Sequence, residues 1–328
     1  MHNLNKPILG VISQGNDNKF LPDILAHLGN EYEIRLADYF DPKSVHNALR
    51  YANLIWVEWA TDVAIHIPKN YPHIPKILRL HSYEAYTHFP AVIPWQAYTD
   101  VIFVADYIRQ KVISVTPDLV KRTKTHIIPN GIDLDRFPLK QSTYPKNLAF
   151  VAILRHVKNM PFLFQCFKEL FDLDPRYHLH IAGEVQATNL ESSELLDYLG
   201  HMLKELGISK NTHFAGWVSD MNVWLEDKEF IVSSSIRESQ GVNIIEGMSK
   251  GLKPVLHNFP AATEHYPPTW LFNTPREFAE LILRGNPHPQ VWREYVRDKF
   301  SIETAISQIR EILRKSINNL KGCDKTTT

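Results

Sequence analysis

The sequence predicts two doubly wound α/β domains facing a central cleft. Three observations carry this expectation. Short continuous apolar runs alternate with amphipathic stretches of helical period along nearly the whole chain, the pattern of a parallel sheet covered on both faces. The alternation stops after Phe137 in the polar, proline-bearing PLKQSTYPKN and then restarts, which marks a linker. A length of 328 residues exceeds what one hydrophobic core ordinarily serves.

Taken in order, PILGVIS (Pro7–Ser13) reads as the first strand, and a helical pattern follows from about Asp17 to Leu28. YEIRLA from Tyr32 is the second strand, and a helix is predicted at about Pro42–Tyr51. NLIWVEWA from Asn53, KILRLHS from Lys76, DVIFVAD from Asp100 and THIIPNG from Thr125 complete the first domain. Beyond the linker, NLAFVAIL from Asn147 opens the second domain, followed by a helix at about Asn159–Leu173. YHLHIAG from Tyr177 precedes a helix at about Glu191–Leu206. THFAGWV from Thr212, EFIVSSS from Glu229 and KPVLHN from Lys253 add three strands, and the stretch from Pro275 to Ile317 reads as helices. In sheets of this kind ligands bind beyond the carboxyl ends of the strands, so the candidate residues are sought there.

Composition excludes several classes. Lys+Arg and Asp+Glu each number 36, so the chain lacks the basic footprint of a nucleic-acid binder. With 44% hydrophobic and 22% charged residues, disorder, coiled coil and collagen are excluded. Two cysteines, Cys166 and Cys323, cannot build a disulfide scaffold or a zinc cluster, and Cys166 is expected in the core. His178 and His180 share one strand face without a carboxylate partner, so no metal site is expected there. The N-terminus has no cleavable signal pattern and no apolar run approaches about 20 residues, which gives a cytoplasmic expectation.

The most informative stretch is SSSIRESQGVNIIEGMSKGLKPV, Ser233 to Val255. A strand runs out into three serines, Glu238 stands in the loop beyond, and Gly241, Val242 and Asn243 open a helix that carries Glu246. The unpaired amides and dipole of a helix start favour a phosphate. A carboxylate beside such a site suits a ligand that offers hydroxyl pairs, as ribose and hexose do. Glu238 in the loop and Glu246 in the helix can then grip two parts of one elongated ligand.

This arrangement resembles the sugar-nucleotide signature of the retaining glycosyltransferases of family 4, which have two Rossmann-like domains in the GT-B architecture. The matching residues are Ser235, Glu238, Gly241, Glu246, Gly251, Pro254 and Val255. PNGID with Phe137, FVAILRHVKN (Phe150–Asn159), IAGE (Ile181–Glu184), FAGWV (Phe214–Val218) and RLHSYE (Arg79–Glu84) resemble further segments of the family in the right order. The resemblance implies an acceptor domain over 1–138, a nucleotide-sugar domain over 139–299, a last helix at about 300–318 that returns to brace the first domain, and a disordered tail over 319–328. It implies transfer of a hexose, with retention, from a UDP- or GDP-linked donor to a hydroxyl acceptor such as a glycan or a lipid-linked sugar, without a cofactor.

Site roles follow the same resemblance. Glu238 holds hydroxyls of the transferred sugar, with Ser235 beside it, and Glu246 holds the ribose. Lys158, Arg155 and the amides of Gly241, Val242 and Asn243 hold the diphosphate, and Gly183 and Glu184 line the donor site. His81 orients the reacting end of the sugar. No Asp-x-Asp is placed to hold a metal, and none is required if Lys158 and the helix start neutralise the leaving group. On the acceptor side the candidates are Ser13, Gly15 and Asn16 of the short SQGN loop, and Glu58 and Asp62 in VEWATD, the last also a candidate helix cap. Trp56, Trp59, Tyr83, Tyr86 and Trp95 are expected in the core or as flat surfaces for an acceptor.

Departures from the pattern are Ala152 and Ile153, where the family carries Gly-Arg, with Arg155 as the substitute; the reduced SQGN loop; and Ser239 where Gly is preferred. They leave open a non-catalytic sugar-nucleotide or glycan-binding homologue, or another sugar-nucleotide enzyme such as an epimerase. The Lys- and Arg-bearing last helix also allows a peripheral contact with the inner membrane face.

Overall fold

The computed structural model describes residues 6–15, 18–141, 146–185, 190–286 and 288–323. It divides into two units, residues 1–131 with 302–328, and residues 132–301.

The first unit is a six-stranded parallel sheet. Its strands are β1 (Ile8–Ser13), β2 (Glu33–Asp38), β3 (Leu54–Glu58), β4 (Lys76–Leu80), β5 (Asp100–Phe103) and β6 (Lys124–Ile127), in the order β2-β1-β3-β4-β5-β6. Strands β3, β4 and β5 are buried along their whole length, as expected of central strands packed on both faces. One face packs Val45, Leu49, Val63, Ile67, Ile108 and Val112 from the crossover helices. The other packs the helix Pro22–Leu28 together with the long C-terminal helix Ile302–Cys323.

The second unit has strands β7 (Asn147–Val151), β8 (His178–Ala182), β9 (Thr212–Gly216), β10 (Phe230–Ser233), β11 (Lys253–His257) and β12 (Leu271–Phe272) in the order β12-β11-β10-β7-β8-β9, all parallel. Read from the β9 edge this is the dinucleotide-fold order, and the strand order reverses between β7 and β10, where such sheets open a crevice. In the first unit the reversal falls between β1 and β3.

Three expectations need correction. The first helix starts at Pro22, not Asp17, because proline at the first helical turn is favoured and Leu21 N–H closes the preceding turn onto the Asn18 carbonyl. The domain boundary lies at 131/132, not 138/139. Ile132 N–H donates to the Phe300 carbonyl at 2.8 Å, Phe137 is buried among second-unit side chains, and Arg293 donates to the carbonyls of Leu134 and Phe137. The C-terminal helix continues to Cys323, past the expected start of a disordered tail at 319, and 324–328 lie outside the described residues. Strand β12, two residues long, is too short to leave a periodic signal.

The aromatic candidates divide. Trp56, Trp59 and Trp95 are buried, whereas Tyr83 and Tyr86 are exposed. Three cations of the last helix are engaged: Arg310 and Arg314 both reach Glu31, at 2.6 and 2.7 Å, and Lys315 reaches Glu311. Among the described residues no helix is long and apolar enough to cross a membrane.

The C-terminal helix contributes Ile302, Ile306, Ile309, Ile312 and Leu313 to the first unit's core, so that core is not complete without a segment distant in sequence. Ile306→Ala leaves a cavity there and is expected to cost the first unit about 2–5 kcal/mol. Urea unfolding followed by far-ultraviolet circular dichroism measures it, and an unchanged midpoint of the first-unit transition would contradict this packing.

Candidate active site

In the second unit the loops after β7 and β10, the two strands flanking the order reversal, are stitched together. Ser234 Oγ donates to the Lys158 carbonyl at 2.7 Å, and Ile236 N–H donates to the Val157 carbonyl at 2.9 Å. Ser235 Oγ donates to Glu238 Oε1 at 2.8 Å, and Lys158 Nζ forms an ion pair with the same oxygen. Lys158 and Glu238 remain 18% and 13% exposed, so both keep partial contact with solvent.

Gly241 caps the helix Val242–Ser249 with φ 81°, and a Cβ there would run into the Ile244 side chain, so the position calls for glycine. No side chain caps the helix start. Val242 is its first residue, and Asn243 Nδ2 donates to the Val151 carbonyl at 2.6 Å, tying the helix to β7. Glu246, one turn on, is raised to about 7 by burial, with the charge of Arg136 working in the opposite direction.

Gly183 and Glu184 follow β8. Gly183 has φ 122° and donates its N–H to the Gly216 carbonyl at 2.7 Å; a Cβ would collide with the Ala152 carbonyl. Glu184 Oε1 accepts the N–H of Trp217 at 3.2 Å, and Trp217 itself is 71% exposed just beyond β9. Arg155 is exposed and precedes the turn His156–Lys158, so the structure places it in the same loop as Lys158. The structure thus brings together Lys158, Ser235, Glu238 and the helix start, with Arg155, Gly183 and Glu184 on the neighbouring strand ends.

Two residues that sequence reasoning passed over hold this loop. Tyr266 Oη donates to the Gln240 carbonyl at 2.6 Å. The His265 ring bonds the Ser239 backbone, and burial lowers His265 to about 4, so its ring is neutral there. The sequence signal was a His-Tyr pair after the β11 loop, which carries no spacing rule.

The chain does contain two Asp-x-Asp sequences, and both have local duties. Asp133 caps the turn Leu134–Arg136 by accepting from Asp135 N–H at 2.9 Å. Asp172 pairs with Lys168, and Asp174 pairs with Lys146 and Arg176. His178 and His180 share a face with His213, and His178 Nδ1 lies 3.0 Å from His213 Nε2. Cys166 is buried, which raises its thiol.

The first unit holds a separate buried cluster. His81, just past β4, is 4% exposed, and its Nε2 meets Glu58 Oε1 at 2.7 Å. Trp56 Nε1 donates to Glu58 Oε2 at 2.8 Å and Arg79 Nη1 to Oε1 at 3.4 Å, while Arg79 also binds Asn130. Burial by itself would raise Glu58, but Arg79, His81 and the Trp56 N–H outweigh it and hold the carboxyl below its usual range. Phe20 stacks on the His81 ring at 4.5 Å, and Trp59, at φ 77°, packs against it at 4.4 Å.

The expected acceptor side is corrected here. Glu58 is 1% exposed and fully engaged, so it does not offer a carboxylate to an acceptor. It ends β3 on the same face as Trp56, and its register neighbour is Arg79, which turns it into the sheet's packed face. Ser13 is buried and donates to Asn18 Oδ1 at 2.6 Å. Gly15 N–H donates to Asp38 Oδ1 at 2.9 Å, and Asn16 lies outside the described residues. Asp62 is exposed at the first turn of the helix Asp62–Asn70, whose N-cap, Thr61, makes no capping bond and instead binds Gln14.

Glu246 gives a pH test with a definite sign. Its carboxyl is raised from the usual 4.5 to about 7, so the folded chain binds more protons than the unfolded chain between those values. The stability it contributes is full below about 4.5 and is lost as the pH rises through about 7. Glu246→Gln, a permanently neutral mimic, is expected to melt with the wild type at about pH 5 and above it at about pH 8. Scanning fluorimetry reads the difference; equal offsets at both pH values would contradict the burial of this carboxyl.

Comparison with known proteins converges on the same segment. Residues 132–266 match the family model described as glycosyl transferases group 1. Mannosylfructose-phosphate synthase of Agrobacterium fabrum is 27% identical over 150 residues, 42% of this chain and 33% of that protein. The putative glycosyltransferase EpsD of Bacillus subtilis is 27% identical over 178 residues, 49% and 44% of the two. The chain therefore spans a third to under a half of the length of these curated relatives. Among solved structures, Anabaena HepE in complex with UDP superposes with a TM-score of 0.74 at 17% identity, over 94% of this chain and 100% of that one. Sucrose-phosphate synthase of Thermosynechococcus elongatus gives 0.74 at 15%, over 95% and 99%. Residues 132–266, which carry Lys158, Glu238 and Glu246, match the glycosyl transferases group 1 model, within a chain that has the two-sheet GT-B fold of these structures.

Proposed function

We propose that the chain is a retaining, metal-independent hexosyltransferase of family 4 that moves a sugar from a nucleoside diphosphate donor to a hydroxyl of a glycan or lipid-linked acceptor, working in the cytoplasm. The single observation that carries this reading is the Lys158–Glu238 pair set at the start of the helix Val242–Ser249, on the strand-order reversal. UDP is the favoured nucleotide, because HepE and other GT-B neighbours are seen with UDP.

The roles follow from charge and geometry. A diphosphate entering at the helix start competes with Glu238 for Lys158, and its charge is also met by the amides of Val242 and Asn243. Glu238, released, accepts from hydroxyls of the hexose, while Ser235 keeps hold of its oxygen. Glu246 accepts from the ribose, and Trp217 offers a flat apolar face near the base. As the bond from the sugar to the phosphate breaks, negative charge grows on the diphosphate, where Lys158, Arg155 and the helix start stabilise it.

A binding protein without turnover is the second reading, favoured by Ala152 and Ile153 in the loop after β7. It predicts UDP binding with no transfer and no donor hydrolysis.

Lys158→Ala and Glu238→Ala are each expected to lower kcat by about 10²–10³-fold in a UDP-release assay over a panel of UDP-hexoses. Product anomers read by proton NMR test retention. Full turnover in both variants would remove the site assignment, and UDP binding without any turnover by the wild type would establish the second reading. UDP at 100 times its Kd should stabilise the wild type by about 2.7 kcal/mol in a thermal shift.

A further inference from the structure

The second unit holds a cavity at the end of its sheet opposite the Lys158–Glu238 pair. Lys253 opens β11 and is in register with Phe230, the first residue of β10, so it stands where the strands begin. Beside it the helix Pro275–Leu283 finishes and the helix Pro289–Phe300 starts. Lys253, Arg284, Gly285, His288, Val291 and Trp292 line a cavity of about 250 Å³ there, and all of them belong to the second unit.

The charge around this cavity has one sign. Lys253 is 9% exposed, and its ammonium donates to the carbonyls of Leu281 and Gly285 at 2.5 and 2.9 Å. Those bonds close the end of the helix Pro275–Leu283, a common duty of a lysine. They are made to neutral groups, so one of the three N–H donors is left over and the charge has no carboxylate. Burial and the neighbouring Arg284 charge lower Lys253 to about 8, the direction expected of a cation without a counter-ion. Among the described residues Arg284 and His288 make no ion pair either, and no Asp or Glu lines the cavity. The helix Pro289–Phe300 adds its positive end, because no side chain caps its start and Val291 and Trp292 of its first turn face the same space.

The remaining wall is apolar and held in place. Trp292 Nε1 donates to Asn286 Oδ1 at 2.7 Å, and the Trp292 ring meets Trp270 edge-on at 5.1 Å. Asn286 Nδ2 in turn donates to the Gly251 carbonyl at 2.9 Å, which ties the turn between the two helices to the loop before β11. A fixed indole beside a buried ammonium suits a ligand with an apolar body and an anionic head, and the planar fork of Arg284 suits a carboxylate or phosphate head.

We propose that this cavity binds a small organic anion, its carboxylate or phosphate head at Lys253 and Arg284 and its apolar body against Val291 and Trp292. The proposal does not rest on the function proposed above, and the site lies apart from the candidate active site.

The test is a titration of the full chain followed on the indole N–H signal of Trp292 in ¹H–¹⁵N NMR, assigned by its loss in Trp292→Phe. The probes are benzyl phosphate, phenylacetate, inorganic phosphate and benzyl alcohol. Saturable shifts of the Trp292 signal are expected with at least one of the first two, with a Kd of about 1 mM or tighter. Stronger binding of benzyl phosphate or of phenylacetate decides which head the site takes. Arg284 is exposed, and Arg284→Gln is expected to weaken binding about tenfold with the melting temperature unchanged. Val291→Trp, which fills the cavity from an exposed helix position, is expected to abolish binding, and Lys158→Ala is expected to leave it unchanged. No shift of Trp292 with either organic anion would overturn the proposal. Equal binding of benzyl alcohol would remove the anion from it, and equal binding of inorganic phosphate would remove the apolar body. Binding lost in Lys158→Ala and kept in Arg284→Gln would place the ligand at the candidate active site and overturn the proposal as well.

Discussion

The candidate site of the second unit is built around one ion pair made across a long sequence distance. Lys158 follows β7, Glu238 follows β10, and 80 residues separate them. They meet because every strand of a parallel sheet must be re-entered from the same end, so all the loops that follow strands gather at one edge. The order reversal falls between β7 and β10, and Ser234 and Ile236 tie the loops after these two strands together. With both side chains in partial contact with solvent, the pair is worth about 1 kcal/mol or less to folding. Under the proposed function that weakness would let a dianionic ligand replace Glu238 at Lys158 without unfolding the unit.

The first unit handles charge in the opposite manner. Glu58 and Arg79 are both almost wholly buried, so their attraction is largely offset by lost hydration. Removing one partner leaves the other buried and uncompensated, which makes the cluster costly to disturb but not a source of net stability. What it supplies is direction. Trp56, Glu58, Arg79, Asn130 and Glu84 use nearly all their polar capacity on one another and on the backbone around His81.

Much of this was legible in the sequence, and the illegible parts have physical reasons. Continuous apolar runs such as NLIWVEWA and DVIFVAD mark strands because both faces of a parallel sheet are buried. The Glu238, Gly241 and Glu246 spacing marks the helix start because only a strand-loop-helix path puts those residues around one point. Glu58 was misread because a carboxylate at a strand end is ambiguous: it faces solvent or core depending on its register against the next strand. Its pairing opposite Arg79, with His81 two residues farther on, is visible only once β3 and β4 are aligned. The boundary at 131 was misplaced for a related reason. The polar PLKQSTYPKN looks like the linker, whereas Ile132 and Phe137 before it are already committed to the second core through Phe300 and Arg293.

The two glutamates of the donor motif solve one electrostatic problem in different ways. A bare carboxylate beside a diphosphate would repel it. Glu238 has Lys158 and Ser235 as partners, which compensate its charge in the unliganded site. Glu246 meets it by burial, which holds its carboxyl near about 7 and keeps much of it uncharged at neutral pH. Hydroxyl groups that donate to Glu246 favour its charged form, so a ribose would bring out the charge only as it supplies the donors to stabilise it. Under the proposed function free phosphate meets only Lys158 and the helix start, whereas a nucleoside diphosphate sugar also brings hydroxyls to both glutamates. Under that same function the protonation of Glu246 would favour the whole ligand over free phosphate, in a chain whose acidic and basic residues otherwise balance, 36 against 36.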